Sequence, residues 1–186
     1  MTTLPRRSLF AAAGAATALL FLAGCTATDK SAPADSSAAE TAVVNVTEEG
    51  VVTPSRLTAD TAMVAAQAAL AQCQADGLGF VSVAVVDRSG QLQAFVRGDN
   101  AAAHTIEASQ QKAYTAAAFG ADTSDLVSRA DALRDLPGTL FMAGGVTVKA
   151  GDASIAGIGV GGAPSGDADQ KCAAAGLAAI SDDADS

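Results

Sequence analysis

Residues 99–119 read Asp-Asn-Ala-Ala-Ala-His-Thr-Ile-Glu-Ala-Ser-Gln-Gln-Lys-Ala-Tyr-Thr-Ala-Ala-Ala-Phe and hold the only His and the only Tyr of the 186-residue chain. Alanine is the strongest helix former and neither Gly nor Pro interrupts the stretch, so it predicts one long helix. At 100° per residue, offsets of seven and eleven bring His104, Gln111 and Thr115 onto one line. An imidazole, an amide and a hydroxyl therefore share a face. Lys112 and Tyr114 flank that stripe on opposite sides, and Ala108 leaves space between His104 and Gln111. The rest of the chain must supply the wall against which such a helix packs.

The flanking elements are short and small-residued. A helix is predicted from Thr58 to Gly77, with Met63, Ala66, Leu70 and Cys73 at helical spacing. Residues 80–86 are β-branched and run into Asp87-Arg88-Ser89-Gly90, a turn before Gln91 to Arg97, which together read as a hairpin. Gly98-Asp99-Asn100 breaks the strand and offers a cap for the long helix. Beyond Gly120, Leu126, Ala130 and Leu133 predict a second, amphipathic helix. Residues 139–142, Val146-Thr147-Val148 and Ser154-Ile155-Ala156-Gly157-Ile158-Gly159-Val160 supply two or three more strands, and a last helix follows Ser165-Gly166. Strands joined by short turns, with helices between hairpins, imply an α+β layer fold with an antiparallel sheet. With only 4% aromatic residues, its core must be built from Ala, Val, Leu and Ile.

The chain divides into three parts. Residues 1–24 carry a basic start, Arg6-Arg7, and an uncharged apolar run, as a targeting peptide does. They end at Leu22-Ala23-Gly24-Cys25, which resembles the bacterial lipobox and makes Cys25 the expected lipidation site. Arg6-Arg7-Ser8-Leu9-Phe10 also resembles a twin-arginine export signal. The expected location is thus outside the cell's cytoplasm, lipid-anchored to the outer face of the cytoplasmic membrane. Residues 25–56, rich in Ala, Ser, Thr, Asp and Glu, read as a flexible tether. Residues 57–182 are one domain.

Two of the 11 basic residues and none of the 20 acidic ones lie in residues 1–24, so the remainder carries a formal charge of −11. Such a protein is a poor partner for nucleic acid or for anionic lipid, and contact with a membrane is expected through the anchor only. Cys73 and Cys172 lie in the first and last helices of the domain. They read either as a disulfide joining those helices or as two buried thiols.

Most common chemistries find no purchase. Gly157-Ile158-Gly159-Val160-Gly161-Gly162 contains the letters of a dinucleotide fingerprint, but no βαβ unit and no acidic residue about 20 positions on accompany it. Glycines in a strand instead allow close approach by a helix or a flat ligand. Asp87, Asp99, Asp167 and Asp169 sit in turns or first helical turns, where Asp has local uses. No Gly-x-Ser-x-Gly elbow is present to pair with His104. His104 is either a helix-start histidine answered by Glu107 or a ligand. One imidazole suffices for haem iron, because the porphyrin supplies the other four nitrogens. Tyr114 and Thr115 offer oxygen donors, and Lys112 or Arg97 could pair a haem propionate.

The blocks Val81-Ser82-Val83-Ala84-Val85-Val86-Asp87, Arg97-Gly98-Asp99, Thr105-Ile106-Glu107-Ala108-Ser109, Gln111-Lys112-Ala113-Tyr114-Thr115-Ala116, Pro137-Gly138-Thr139-Leu140-Phe141, Gly144-Gly145 and Ile155 through Asp167 resemble the GlcG/HbpS family of haem-binding proteins. The resemblance spans residues 57–180. It implies a profilin-like antiparallel sheet of about five strands flanked by helices, assembly into homo-oligomers, and haem or a related tetrapyrrole as cofactor. It also implies a role as scavenger, store or accessory to a membrane sensor kinase, with haem degradation as the alternative and a purely structural oligomer as a third reading. Through the resemblance Thr115 becomes the expected iron contact, whereas the role of His104 rests on its chemistry alone.

Overall fold

The computed structural model describes residues 47–181. Helix α1 (Ala59–Ala75) is followed by the hairpin β1 (Ser82–Asp87) and β2 (Leu92–Arg97), then by the long helix α2 (His104–Phe119). Two single-turn helices, α3 (Thr123–Leu126) and α4 (Ala130–Leu133), lead to β3 (Gly145–Ala150), β4 (Ala153–Gly161) and α5 (Gly166–Ala178). The strands form one antiparallel sheet in the order β2-β1-β4-β3. This is the expected α+β layer fold, with four strands in place of about five.

The missing strand is the stretch 139–142. Its backbone is claimed by side-chain and ring contacts: the Leu140 N–H donates to Thr115 Oγ1 at 2.8 Å, and the Phe141 ring meets Phe119 edge-on at 5.1 Å. The targeting peptide, Cys25 and the tether up to residue 46 lie outside the described residues. Residues 47–56 of the tether are all exposed. Among the described residues no helix is long and apolar enough to cross a membrane.

Strand β1 is buried on both faces because helices cover both sides of the sheet. Val83 and Val85 pack with Ala62, Ala65, Ala66 and Ala69 of α1 and Ala173 of α5. Ala84 and Val86 point the other way, onto Ala113 and Ala117 of α2. Each buried Val contributes about 1.5–3 kcal/mol. The apolar stripe of α1 is thus an alanine stripe, and Met63, expected on it, stays 39% exposed. Cys73 and Cys172 are bonded to each other with Cα atoms 5.4 Å apart, tying α1 to α5.

Close layers follow from β4. A Cβ on Gly157 would collide with the Ala113 carbonyl, and one on Gly159 with the Ser109 carbonyl, so α2 lies directly on the strand. The glycine-rich strand therefore serves the helix; it does not open a slot for a flat ligand, and that expectation is corrected.

Two boundaries differ from expectation. Helix α2 begins at His104, not at Asp99, because the Gly98 N–H is used by the Val81 carbonyl and Asn100 turns left-handed with φ 61°. No side chain of residues 98–100 caps it; Ala103 is its first flanking residue. After Gly120, the amphipathic helix is broken into α3, a 3-10 turn and α4. Thr123 Oγ1 accepts the Gly145 N–H at 2.8 Å and so fixes α3 to the start of β3. Leu126, Ala130 and Leu133 still bury together, in a small cluster with Phe141.

Candidate functional site

On α2, the buried sector holds Thr105, Ser109, Lys112, Ala113 and Ala116, which face the sheet and α5. The sector left outside contains His104, Glu107, Gln111 and Tyr114, at offsets of three, seven and ten residues and hence within about 80° of arc. A cleft of about 380 Å³ opens along it. One wall is α2, through Glu107, Gln110, Gln111 and Tyr114. Facing it are Ser89 and Gly90 of the β1–β2 turn, with Gly138 at one end.

The turn is built to be rigid. Asp87 Oδ1 accepts the Ser89 N–H at 2.9 Å, the Ser89 hydroxyl at 2.7 Å and the Gln91 N–H at 2.9 Å. Burial pushes the Asp87 carboxyl up, but these donors to its charged form outweigh it and hold the group below the ordinary carboxylate range. Gly90, at φ 85°, lies against the ring of Tyr114: a Cβ there would stand 3.1 Å from Tyr114 Cδ2. The absence of that carbon lets the turn lie directly against the ring. Gln111 Nε2 donates to Glu107 Oε1 at 2.8 Å, which orders the amide along the cleft wall.

Of the residues singled out from the sequence, Gln111 and Tyr114 line this cleft, and His104 stands exposed at the first turn of the same helix. The Tyr114 hydroxyl makes no hydrogen bond among the described residues. Three others are elsewhere. Thr115 is fully buried; its hydroxyl donates to the Gln111 carbonyl at 2.7 Å and accepts from Leu140 N–H, so the stripe His104–Gln111–Thr115 is not one open face. Lys112 is 3% exposed and its ammonium lies 2.7 Å from Asp169 Oδ2, which removes it as a propionate partner. Arg97 donates through Nε and Nη2 to the Ala101 carbonyl and so bridges the loop before α2.

Asp169 was expected only to favour a helix start. It also accepts the Ala163 N–H, and burial holds its carboxyl above the usual range although Lys112 beside it works in the opposite direction. Ser89, Gly90, Gln110 and Gly138 were not identified as site residues from the sequence. The signal for the first two was present in the turn Asp87-Arg88-Ser89-Gly90, but nothing local places that turn against α2.

The cleft suits a flat ring at one edge. Its volume is near the lower end of the range for small-molecule pockets, an aromatic side chain forms one wall, and glycines keep the opposite side flat. Tyr114 is the aromatic wall of the cleft, and His104 stands ten residues, about 15 Å, back along the same helix.

A four-stranded antiparallel sheet with α2 on one face, a disulfide-tied helix pair on the other and a cleft beside the hairpin turn defines a profilin-like α+β domain. The chain belongs to the HbpS-like family: the family model, described as haem degrading protein HbpS-like, matches residues 57–178. A crystal structure of HbpS is similar at 44% identity and a TM-score of 0.70, covering 74% of this chain and 99% of that one. A Glu-to-Asp double mutant of Streptomyces reticuli HbpS is similar at 43% identity and a TM-score of 0.70, covering 75% and 97%. The crystal structure of a PduOC–haem complex is similar at 25% identity and a TM-score of 0.61, covering 68% and 96%. Among curated proteins there is no match. The family and the haem complex give the chain a haem-related function.

Proposed function

We propose that this chain binds haem outside the cytoplasm, as a scavenger, store or accessory to a haem- or redox-sensing membrane system. The supporting observation is the Tyr114 cleft: the single tyrosine walls a narrow slot with its hydroxyl unclaimed, on the same helical sector as the single histidine. Both a phenolate and a neutral imidazole ligate haem iron. Bound haem would supply a redox-active ferric centre. Toward it Tyr114 would offer its hydroxyl and ring, Gln111 and Gln110 amides at the rim, and His104 a nitrogen from the first turn of α2. Thr115 belongs to this reading only if the segment 138–142 swings away, because the Leu140 N–H now covers its hydroxyl.

The exported, lipid-anchored form through Cys25, delivery by the twin-arginine motif, homo-oligomers and a membrane sensor kinase as listener are part of the same proposal, carried by the sequence resemblances. A second reading, haem degradation, is favoured by the family's description and by the open cleft, which leaves a bound ring within reach of solvent peroxide.

Titration of the mature protein with ferric haem tests the binding reading. A shifted Soret band that changes again in Tyr114→Phe or His104→Ala is the expected result; no shift in the native protein overturns it. Peroxide-driven loss of the band faster than for free haem would favour degradation.

A further inference from the structure

Between α2 and β3 the chain makes an excursion whose neck is clamped and whose body is not. At the neck, Thr123 Oγ1 accepts the Gly145 N–H at 2.8 Å, Asp122 Oδ1 accepts the Thr147 N–H at 3.0 Å, and the Gly144 N–H donates to Gln170 Oε1 at 2.6 Å. Apart from local helical bonds that continue from α3, residues 127–142 are held to the other described residues by one hydrogen bond, from the Leu140 N–H to Thr115 Oγ1. Their remaining bonds stay inside the segment, such as Thr139 N–H to the Leu136 carbonyl and Arg134 to Asp131.

Apolar anchorage is equally thin. Only Ala130 and Phe141 of this segment are buried, with Leu133 partly covered beside them, and the Phe141 ring meets Phe119 edge-on. Local stability follows buried contacts and shielded hydrogen bonds. A compact loop with a pinned neck and so few of either opens before the domain unfolds.

The segment covers the part of α2 that continues the Tyr114 cleft. Gly138 closes one end of that cleft, where a Cβ would stand 3.9 Å from Tyr114 Cδ1. Closed, the cleft admits no more than the edge of a flat ligand, since Gly90 lies against the Tyr114 ring and Glu107 puts a carboxylate on the rim. Beyond Gly138 the segment hides Thr115 and Leu126 and packs on one side of Phe119. With it lifted, Gln111, Tyr114, Thr115 and Phe119 share one sector of about 140° on α2.

We propose that residues 127–142 are a lid, and that lifting it extends the ligand surface from the Tyr114 cleft onto the Thr115–Phe119 face of α2. That wider surface suits an apolar flat ligand, with an amide and a hydroxyl as its polar contacts. As a lid the segment stands on its own bonding; as a gate for haem it rests on the haem reading above.

Residue-resolved hydrogen exchange on the mature protein tests both. Without ligand, the Leu140 amide should exchange at least about tenfold faster than the Gly145 and Thr147 amides, at a rate nearly independent of low denaturant, as a local opening does. Phe141→Ala should quicken Leu140 by about a hundredfold and Leu133→Ala, a milder change in the same cluster, by about tenfold, with the neck amides unchanged in each. Leu140 exchanging in step with the neck amides in all three proteins overturns the lid. Saturating ferric haem should remove the remaining protection of Leu140 while Gly145 and Thr147 keep theirs. A Soret shift with Leu140 protection intact or raised overturns the gate and leaves the haem reading standing. No Soret shift in any of the three proteins overturns the haem reading and the gate together, and exchange in the free protein still decides the lid.

Discussion

The ammonium of Lys112 and the carboxylate of Asp169 meet at 2.7 Å across 57 residues of sequence, with each side chain 4% exposed. Together they pin α2 to the start of α5, under the same helix whose outer sector makes the cleft. Removing one partner strands a charge in the interior. Asp169→Ala should lower stability by about 3–5 kcal/mol, and the double change Lys112→Met/Asp169→Leu should recover most of it. Urea melts of the three proteins decide the point; a double variant no better than the single one would contradict it.

Acid should reveal Asp87. Its carboxyl is held below the ordinary value of about 3.9, so the folded state binds its proton less readily than the unfolded chain does. The stability it contributes is complete above that unfolded value and is lost as pH falls through the folded one. The difference in unfolding free energy between native and Asp87→Asn proteins should therefore be largest near neutrality and shrink below about pH 4. The same variant loosens the Ser89–Gly90 wall, so a rise in haem dissociation should accompany it.

Gly159→Ala should be more damaging than an ordinary overpacking change of about 1–3 kcal/mol, because the added carbon meets the backbone carbonyl of Ser109 and the Ala113 amide nitrogen, which no rotamer change can relieve. Circular dichroism should show a large fall in Tm or loss of the soluble protein. A melting temperature within a few degrees of native would mean that α2 can lift off β4 at little cost.

Reduction of Cys73–Cys172 opens a constraint spanning 99 residues. Loop-closure entropy assigns about 4.7 kcal/mol to a loop of that order. Cys73→Ala/Cys172→Ala should melt well below the oxidised native protein, yet at low temperature bind haem unchanged, since the bond lies on the sheet face opposite α2.

Thr115→Val deletes the acceptor of the Leu140 N–H and should cost about 1–3 kcal/mol through that unsatisfied donor. If the hydroxyl is engaged as the structure has it, the Soret maximum of the haem complex should match native, whereas Tyr114→Phe should move it. A Soret change in Thr115→Val equal to that in Tyr114→Phe would show that the 138–142 segment opens and that Thr115 reaches the iron.

Much of this architecture is written in local patterns. The β-branched run 80–86, the Asp87-Arg88-Ser89-Gly90 turn and the alanine-rich helix announce themselves because each depends on neighbours in sequence. Lys112 and Asp169 do not: either one alone reads as a surface charge, and only the fold makes them partners. Thr115 misleads for a related reason, since helical geometry places it near His104 and Gln111 while a segment 25 residues later covers it. The start of α2 was displaced by the Gly98–Val81 hydrogen bond, which overrides the helix preference of Ala101 to Ala103. Residues 139–142 form a short apolar run of strand type, but Leu140 N–H goes to Thr115 Oγ1 and the Phe141 ring to Phe119.

The contact between α2 and the glycines of β4 has a consequence for how this site can vary. The helix is keyed to the sheet by main-chain atoms, the carbonyls of Ser109 and Ala113, and no exchange of outward side chains alters those. Residues 104, 107, 111 and 114 can thus be swapped for other chemistries while their directions stay registered. One inserted residue between 104 and 109, by contrast, would swing His104 about 100° away from Tyr114. The domain is a fixed mount with exchangeable fittings, tolerant of substitution along its cleft and intolerant of any change in spacing.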